Sequence, residues 1–267
     1  MTKSLIPWVA LFAVCSAGLF AFNGCSTVPI TGRQQLNLIS PGQEMQLGLS
    51  SFEQMKKEVP VSRDAAANAL VQRVGQRIAA AAANHLPNAQ WEFVVFQSKE
   101  ANAFCLPGGK IGVYTGILPI TKDEAGLATV LGHEVAHASA HHGAERMSEA
   151  LLANLGGQLL GIGLSKSDPK TQAAMATVYG LGSQLGVALP HSRNNESEAD
   201  AMGLIYMARA GYNPEAAVAF WERFAEATRA GDTGLWFLRT HPVTTDRIQH
   251  IKELLPRAKA EFKSAPR

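Results

Sequence analysis

The chain has 267 residues, 46% of them hydrophobic and 17% charged, and its mean hydropathy is near zero. That apolar content supports a buried core and excludes a disordered chain, a collagen-like chain and a polytopic membrane protein. A formal charge of +2 is too weak to attract nucleic acid, and Cys15, Cys25 and Cys105 make no disulfide framework, so neither feature is expected.

In chain order, the first element is an uncharged run of eighteen residues from Leu5 to Phe22, behind Lys3 and ending in Asn23-Gly24-Cys25-Ser26. It reads as an export signal. An uncleaved membrane anchor and an ordinary secretory signal are the alternatives, but Pro7 and Gly18 interrupt the run. A small residue directly before a cysteine resembles the bacterial lipoprotein signal, which is cut before the cysteine while the thiol is lipidated. The resemblance implies a signal peptide over 1–24 and a membrane partner reached through an N-terminal lipid anchor on Cys25. Ser26 points to the periplasmic face of the outer membrane. Residues 25–38 then form a tether, ordered from about Leu36, and 39–267 a single domain.

Ser40-Pro41-Gly42-Gln43 predicts a capping box and a helix to about Glu58. A second helix, from about Arg63 to Ala83, places Leu70, Val74 and Ile78 on one stripe, with Arg77 at its edge. Trp91–Gln97 and Lys110–Gly116 predict strands around the Leu106-Pro107-Gly108-Gly109 turn. Thr121 and Glu124 predict another capping box, opening a helix from Lys122 to about Met147. Leu151–Leu164 and Ala173–Leu189 are apolar but short for membrane spans, and read as helices packed on the domain or closing over it as a lid. Helices over Asn195–Ala210, from Asn213-Pro214 to about Ala230, and from Thr244 or Thr245 complete the chain. Six or more helices around a small sheet with one core make an α+β fold.

His133-Glu134-Val135-Ala136-His137 falls inside the helix predicted to begin at Thr121. Four-residue spacing puts both imidazoles on one face, where they can converge on one zinc ion with Glu134 beside its open side. Zinc polarises a carbonyl and acidifies water, and a neighbouring glutamate relays the proton, which is the chemistry of peptide-bond hydrolysis. Protein or peptide substrates follow. A catalytic site needs a third protein ligand. Ala140 and Gly143 stand where a metzincin requires Gly and His, so that class is excluded. His141, one turn further on, is one candidate; its alternative is a polar group at a helix end. The stronger candidate is the cluster Asn195-Glu196-Ser197-Glu198-Ala199-Asp200, in which Glu196 and Asp200 share a face.

H-E-x-x-H, then Asn195-Glu196-x-Glu198-Ala199-Asp200 about sixty residues on, preceded by Ser192-Arg193, resembles the gluzincin metalloendopeptidases of the CAAX prenyl protease and HtpX-like family. Further matching pieces are Thr31-Gly32-Arg33-Gln34-Gln35-Leu36, Asn102-Ala103-Phe104 with Pro107-Gly108-Gly109, and His241-Pro242 with Arg247. The resemblance is to that family's periplasmic lipoprotein branch. It implies a mostly helical, zincin-like α+β domain with a small β-sheet flanking the H-E-x-x-H helix. It also implies one Zn2+ per chain on His133, His137 and Glu196, Glu134 as general base, and Asp200 supporting a ligand. Asn102, Ala103 and Phe104 become the strand on which an extended substrate lies. The implied substrates are misfolded or misassembled cell-envelope proteins; an envelope chaperone or assembly factor with a structural or latent zinc site is the alternative. No tandem-repeat segment is expected, so an assembly partner would dock on the protease domain itself. His191 and Cys105 depart from the family pattern; neither is a ligand.

His241 has three readings: a donor to the tetrahedral oxyanion, a removable fourth zinc ligand that keeps the enzyme latent, or packing under the last helix. Arg247 is expected to pair with a core carboxylate and Cys105 to serve as a small buried hydrophobe.

Overall fold

The computed structural model describes residues 25–160, 192–229, 237 and 240–264. Order begins earlier than Leu36: β1 (Cys25–Thr27) pairs antiparallel with β2 (Gln34–Leu36), and Val28 in the turn between them is buried. Helix α1 (Pro41–Glu58) starts at Ser40 with both halves of the predicted capping box, and α2 (Ala65–Ala82) starts at Asp64, whose carboxylate accepts from the amides of Ala66 and Ala67. Of the stripe read from the sequence, Val74 and Ile78 turn inward with Val71 beside them, while Leu70 is only half-buried against the core. Arg77 lies over the Tyr212 ring at 4.2 Å.

Three strands follow: β3 (Glu92–Phe96), β4 (Ala103–Leu106) and β5 (Lys110–Tyr114), in the spatial order β3-β5-β4. The glycine turn joins β4 to β5 as an antiparallel hairpin, whereas β3 runs parallel to β5. Gly108 and Gly109 both take positive φ, at 87° and 78°, which explains two successive glycines there.

The short helix α3 (Leu118–Thr121) corrects the predicted capping box. Thr121 ends α3 instead of opening the next helix: its hydroxyl donates to the Leu118 carbonyl, and Lys122 reverses the chain at φ 69°. The cap of α4 (Glu124–Ser139) is Asp123, accepting from the Gly126 amide. Nor does that helix run to Met147. It stops at Ala140, His141 adopts φ 55°, and α5 (His142–Leu160) starts in a new direction. Then come α6 (Arg193–Arg209), capped by Ser192, α7 (Ala216–Arg229) and α8 (Thr245–Ser264), where the Thr244 hydroxyl accepts from the Arg247 amide.

Helix α4 is the axis of the domain, buried from Gly126 to Ser139 between α2, α6, α7 and β4. Its most extensive contact is with α6. The two cross at Gly132 and Gly203, where a Cβ on Gly203 would stand 2.9 Å from the His133 amide nitrogen. Two bare backbones thus meet beside the H-E-x-x-H segment, so α6 carries its acidic first turns up to the histidines. No helix among the described residues is long and apolar enough to cross a membrane. Residues 161–191, and with them most of the expected lid, lie outside the described residues, as does His191.

Candidate metal centre

Helix α4 brings His133 and His137 to one face, with Nε2 atoms 3.0 Å apart. Helix α6 adds Glu196, whose Oε1 lies 3.2 Å from His137 Nε2 and whose Oε2 lies 3.5 Å from His133 Nε2. The segment before α8 adds His241, with Nδ1 3.1 Å from His133 Nε2 and 2.8 Å from Glu196 Oε1. One ligand atom from each of the four lies within 4.8 Å of the others, and all four residues are buried. Glu134 is beside them: its Oε1 is 3.4 Å from His241 Nε2 and has no hydrogen-bond partner.

Asp200, one turn after Glu196, lies 3.0 Å from His133 Nδ1. It also accepts two hydrogen bonds of 2.8 Å from Arg247, whose third nitrogen reaches Glu196 Oε2 at 2.7 Å. The guanidinium stacks over Trp221 at 4.0 Å, so the expected partnership of Arg247 with core carboxylates is present in bidentate form.

His141 does not join the group. The break after α4 turns its ring toward Glu44, with Nδ1 2.7 Å from Oε2. The neighbouring His142 does reach the centre: its Nδ1 lies 2.8 Å from His137 Nδ1 and its Nε2 3.1 Å from Glu198 Oε2. Glu198 accepts from Arg33 Nε at 2.8 Å and from the Thr31 hydroxyl. Arg33 also grips Glu145, which accepts from Asn195 Nδ2 at 2.8 Å. This outer network was missed in the sequence. Its traces there were His142 beside His141, a second glutamate in the acidic cluster, and Arg33 within a quoted motif.

The electrostatics favour a cation. Glu134, Glu196 and Asp200 face one guanidinium, Arg247, so with the imidazoles neutral, as metal ligands must be, two negative charges stand in excess in this buried group. Such an excess is costly unless a positive ion balances it. His133 Nε2 also stands within 3.1 Å of two other imidazole nitrogens, and with one lone pair or one proton it serves only one of the two contacts well. Burial holds the His137 imidazole well below its ordinary value. Burial also pulls on His133, but Asp200 and Glu196 outweigh it and hold that ring up at about 9. Burial raises the Glu134 carboxyl. Burial would raise Glu196 as well, yet His241 and Arg247 keep it well below the carboxylate range. Two or three imidazoles and a carboxylate are a donor set suited to zinc, and the residues present fit a single ion.

Cys105 is half-buried against the core, and burial, reinforced by the Glu134 charge, pushes its thiol up, in keeping with an unreactive side chain. Ala103 and Phe104 lie in β4, at the edge of the sheet and against α4; Asn102 immediately precedes it, its carbonyl accepting from the Tyr114 amide.

Comparison with known proteins places these residues in context. Residues 65–255 match peptidase family M48. The mitochondrial metalloendopeptidase OMA1 of Schizosaccharomyces pombe is 32% identical over 95% of this chain and 73% of its own length. OMA1 of Saccharomyces cerevisiae is 31% identical over 97% of this chain and 76% of its own. The beta-barrel assembly-enhancing protease of Escherichia coli K12 is 27% identical over 85% of this chain, which spans about half (46%) of that relative.

Proposed function

The chain belongs to peptidase family M48 and is a zinc metalloprotease, and from that premise we propose that it is an endopeptidase whose single zinc is held by His133, His137 and Glu196. The observation that carries this reading is the convergence of those three side chains, from two helices far apart in sequence, beside a Glu134 oxygen that makes no hydrogen bond. When bound, the zinc supplies Lewis acidity toward the scissile carbonyl and toward water. Glu134 takes the proton of the attacking water and delivers it to the leaving amine, and its raised pKa makes it a stronger acceptor than an ordinary carboxylate. Asp200 holds the His133 ring, and Arg247 holds Asp200 and Glu196.

His241 serves as a fourth donor in the resting enzyme. Its Nδ1 is within 3.1 Å of both Glu196 and His133, closer than packing alone requires. Its Nε2, 3.4 Å from Glu134 Oε1 at rest, is the ring's other possible donor and would serve the oxyanion once the ring gives way to substrate. An extended peptide pairs with the open edge of β4 at Asn102, Ala103 and Phe104, which lies against α4.

The substrates are misfolded or misassembled proteins of the bacterial envelope, and the enzyme is anchored through lipidated Cys25 at the periplasmic face of the outer membrane, as in the lipoprotein branch of the CAAX protease and HtpX-like group. The apolar run ahead of Cys25 and the name of the Escherichia coli relative support this reading. Glu134→Gln tests the activity: zinc content and fold are retained while cleavage of an unfolded test protein is lost, whereas a chaperone is indifferent to the change. The mass of the mature N-terminus tests the anchor, since retention of residues 1–24 refutes it.

A further inference from the structure

The β1–β2 hairpin precedes residues 65–255, the stretch matched to peptidase family M48, yet it is tied to the metal centre by an unbroken chain of side chains. Outward from His137, Nδ1 meets His142 Nδ1 at 2.8 Å, and His142 Nε2 meets Glu198 Oε2 at 3.1 Å. An ionised carboxylate only accepts, so the His142 proton sits on Nε2 and its Nδ1 is an acceptor. His137 must then carry its proton on Nδ1. That leaves Nε2, the atom facing Glu196 and His133, with a bare lone pair, as a metal ligand requires.

The direction of the relay depends on Glu198, and the hairpin fixes Glu198. Arg33 Nε donates to its Oε2 at 2.8 Å, and the Thr31 hydroxyl donates to its Oε1. The other end of the guanidinium holds Glu145 at 2.5 and 2.8 Å, and Glu145 in turn accepts from Asn195, the residue before Glu196. Gln35 donates to the Ala140 carbonyl, which closes α4 just beyond His137. The hairpin therefore clasps the end of α4, the start of α5 and the start of α6, the three places that set His137 and Glu196.

We propose that the N-terminal hairpin is a positioning element of the metal centre, in which Arg33 and Thr31 hold Glu198 so that His142 fixes the tautomer and ring orientation of His137. The inference rests on the reading above that His137 and Glu196 ligate zinc. It assigns a catalytic consequence to a segment that supplies none of the candidate metal ligands.

The test compares full-length wild type with Arg33→Ala, Arg33→Lys, Thr31→Val and, as a control, Arg209→Ala, which breaks an exposed pair with Glu261. Zinc affinity is read by competition with a chromogenic chelator, ligand geometry by the visible bands of the cobalt-substituted protein, and the metal-free fold by thermal melting. Arg33→Ala is expected to weaken zinc binding about 10–100-fold, shift the cobalt bands and lower kcat with KM unchanged. Arg33→Lys recovers part of the affinity, since one ammonium reaches one carboxylate, and Thr31→Val gives a smaller loss of the same sign. Arg209→Ala leaves affinity and bands at wild-type values. If Arg33→Ala does not fold, Thr31→Val decides by the same readouts. Variants that melt earlier without metal yet bind zinc as tightly as wild type, with unchanged cobalt bands, overturn the inference and leave the metal reading intact. A wild type that binds no zinc sinks the metal reading, and this inference with it.

Discussion

Gly203→Ala probes the contact on which the site depends. A Cβ there meets the His133 amide nitrogen at 2.9 Å and the Gly132 carbonyl carbon and His133 Cα at 3.0 Å. All three are backbone atoms of α4, so no side-chain rotation relieves the overlap. Ordinary separations are about 3.5–4.0 Å, so α4 and α6 must part by roughly half an ångström. Overpacking of this kind costs about 1–3 kcal/mol, and backbone against backbone belongs at the upper end. The better helix propensity of alanine returns about 1 kcal/mol, leaving a net loss of about 2 kcal/mol. At roughly 2–4 °C per kcal/mol for a domain of this size, Tm falls by about 4–8 °C. Asp200 and Glu196 lie one and two turns before Gly203 and move with α6, and a shift of about 0.5 Å is the tolerance of a metal site. Zinc affinity is therefore expected to fall by more than tenfold. Differential scanning calorimetry of metal-free protein and zinc competition read the two effects. Gly42→Ala, in the first turn of α1 with nothing within 4 Å, is the matched control and should be neutral or slightly stabilising. A Gly203→Ala protein that melts and binds zinc like the control would refute the reasoning.

Other substitutions and conditions have equally definite outcomes. Glu134→Gln should lower kcat by at least about 10²–10⁴-fold with zinc stoichiometry unchanged, and retained cleavage would remove Glu134 as the proton acceptor. Asp200→Asn breaks a buried bidentate pair with Arg247 and should cost metal-free protein about 3 kcal/mol in a urea titration; a loss under about 1 kcal/mol would show that the pair contributes little. Chelation should lower Tm, because free zinc at 100 times Kd stabilises a one-site protein by about 2.7 kcal/mol; an unchanged Tm would argue against a folded-state metal site. Glu198 supplies an acid limb to stability: burial works against ionisation, but His142, Thr31 and Arg33 hold its pKa at about 2. Its folded pKa lies below the unfolded value, so its contribution is complete above the unfolded pKa and disappears as pH falls toward about 2. Glu198→Gln should flatten unfolding free energy against pH across that window, and an unaltered profile would contradict it.

What could be read in the sequence was what is decided within a few residues. The Ser40 capping box, the inward stripe of α2 and the H-E-x-x-H face all rest on neighbours three or four positions apart, and the structure shows each of them. The errors were of the same local kind. Thr121 and Asp123 both suit a helix cap, and the choice is made by Gly126, whose absent Cβ would collide with the Thr121 carbonyl, so the chain packs too tightly there for one continuous helix. His141 fits the ligand face only while α4 continues, and its left-handed backbone was invisible to spacing. The relay from Arg33 through Glu198 to His142 joins segments 165 and 56 residues apart, and no periodicity records such a meeting.

The two histidines proposed as ligands are oriented by different means, and the difference has a physical consequence. Glu196 lies near the Nε2 atom of both rings, but on the Nδ1 side His133 meets a carboxylate directly, Asp200 at 3.0 Å, whereas His137 meets one only through the intervening imidazole of His142. A carboxylate in contact stabilises an imidazolium; one set back by a ring fixes the tautomer while doing far less for the charge. Burial then prevails at His137, which stays well below its ordinary pKa, and is overcome at His133, which rises. The metal-free centre therefore has one ring disposed to take a proton and so to offset part of the excess negative charge, and one ring that keeps its lone pair ready for the ion. Removing this difference, by neutralising Asp200 while leaving Glu198 in place, should make proton uptake on zinc release smaller. The number of protons released on zinc binding near neutral pH, measured by calorimetry in buffers of different ionisation enthalpy, should then drop by up to about one in Asp200→Asn. An unchanged proton count would show that His133 does not hold the proton that the metal displaces.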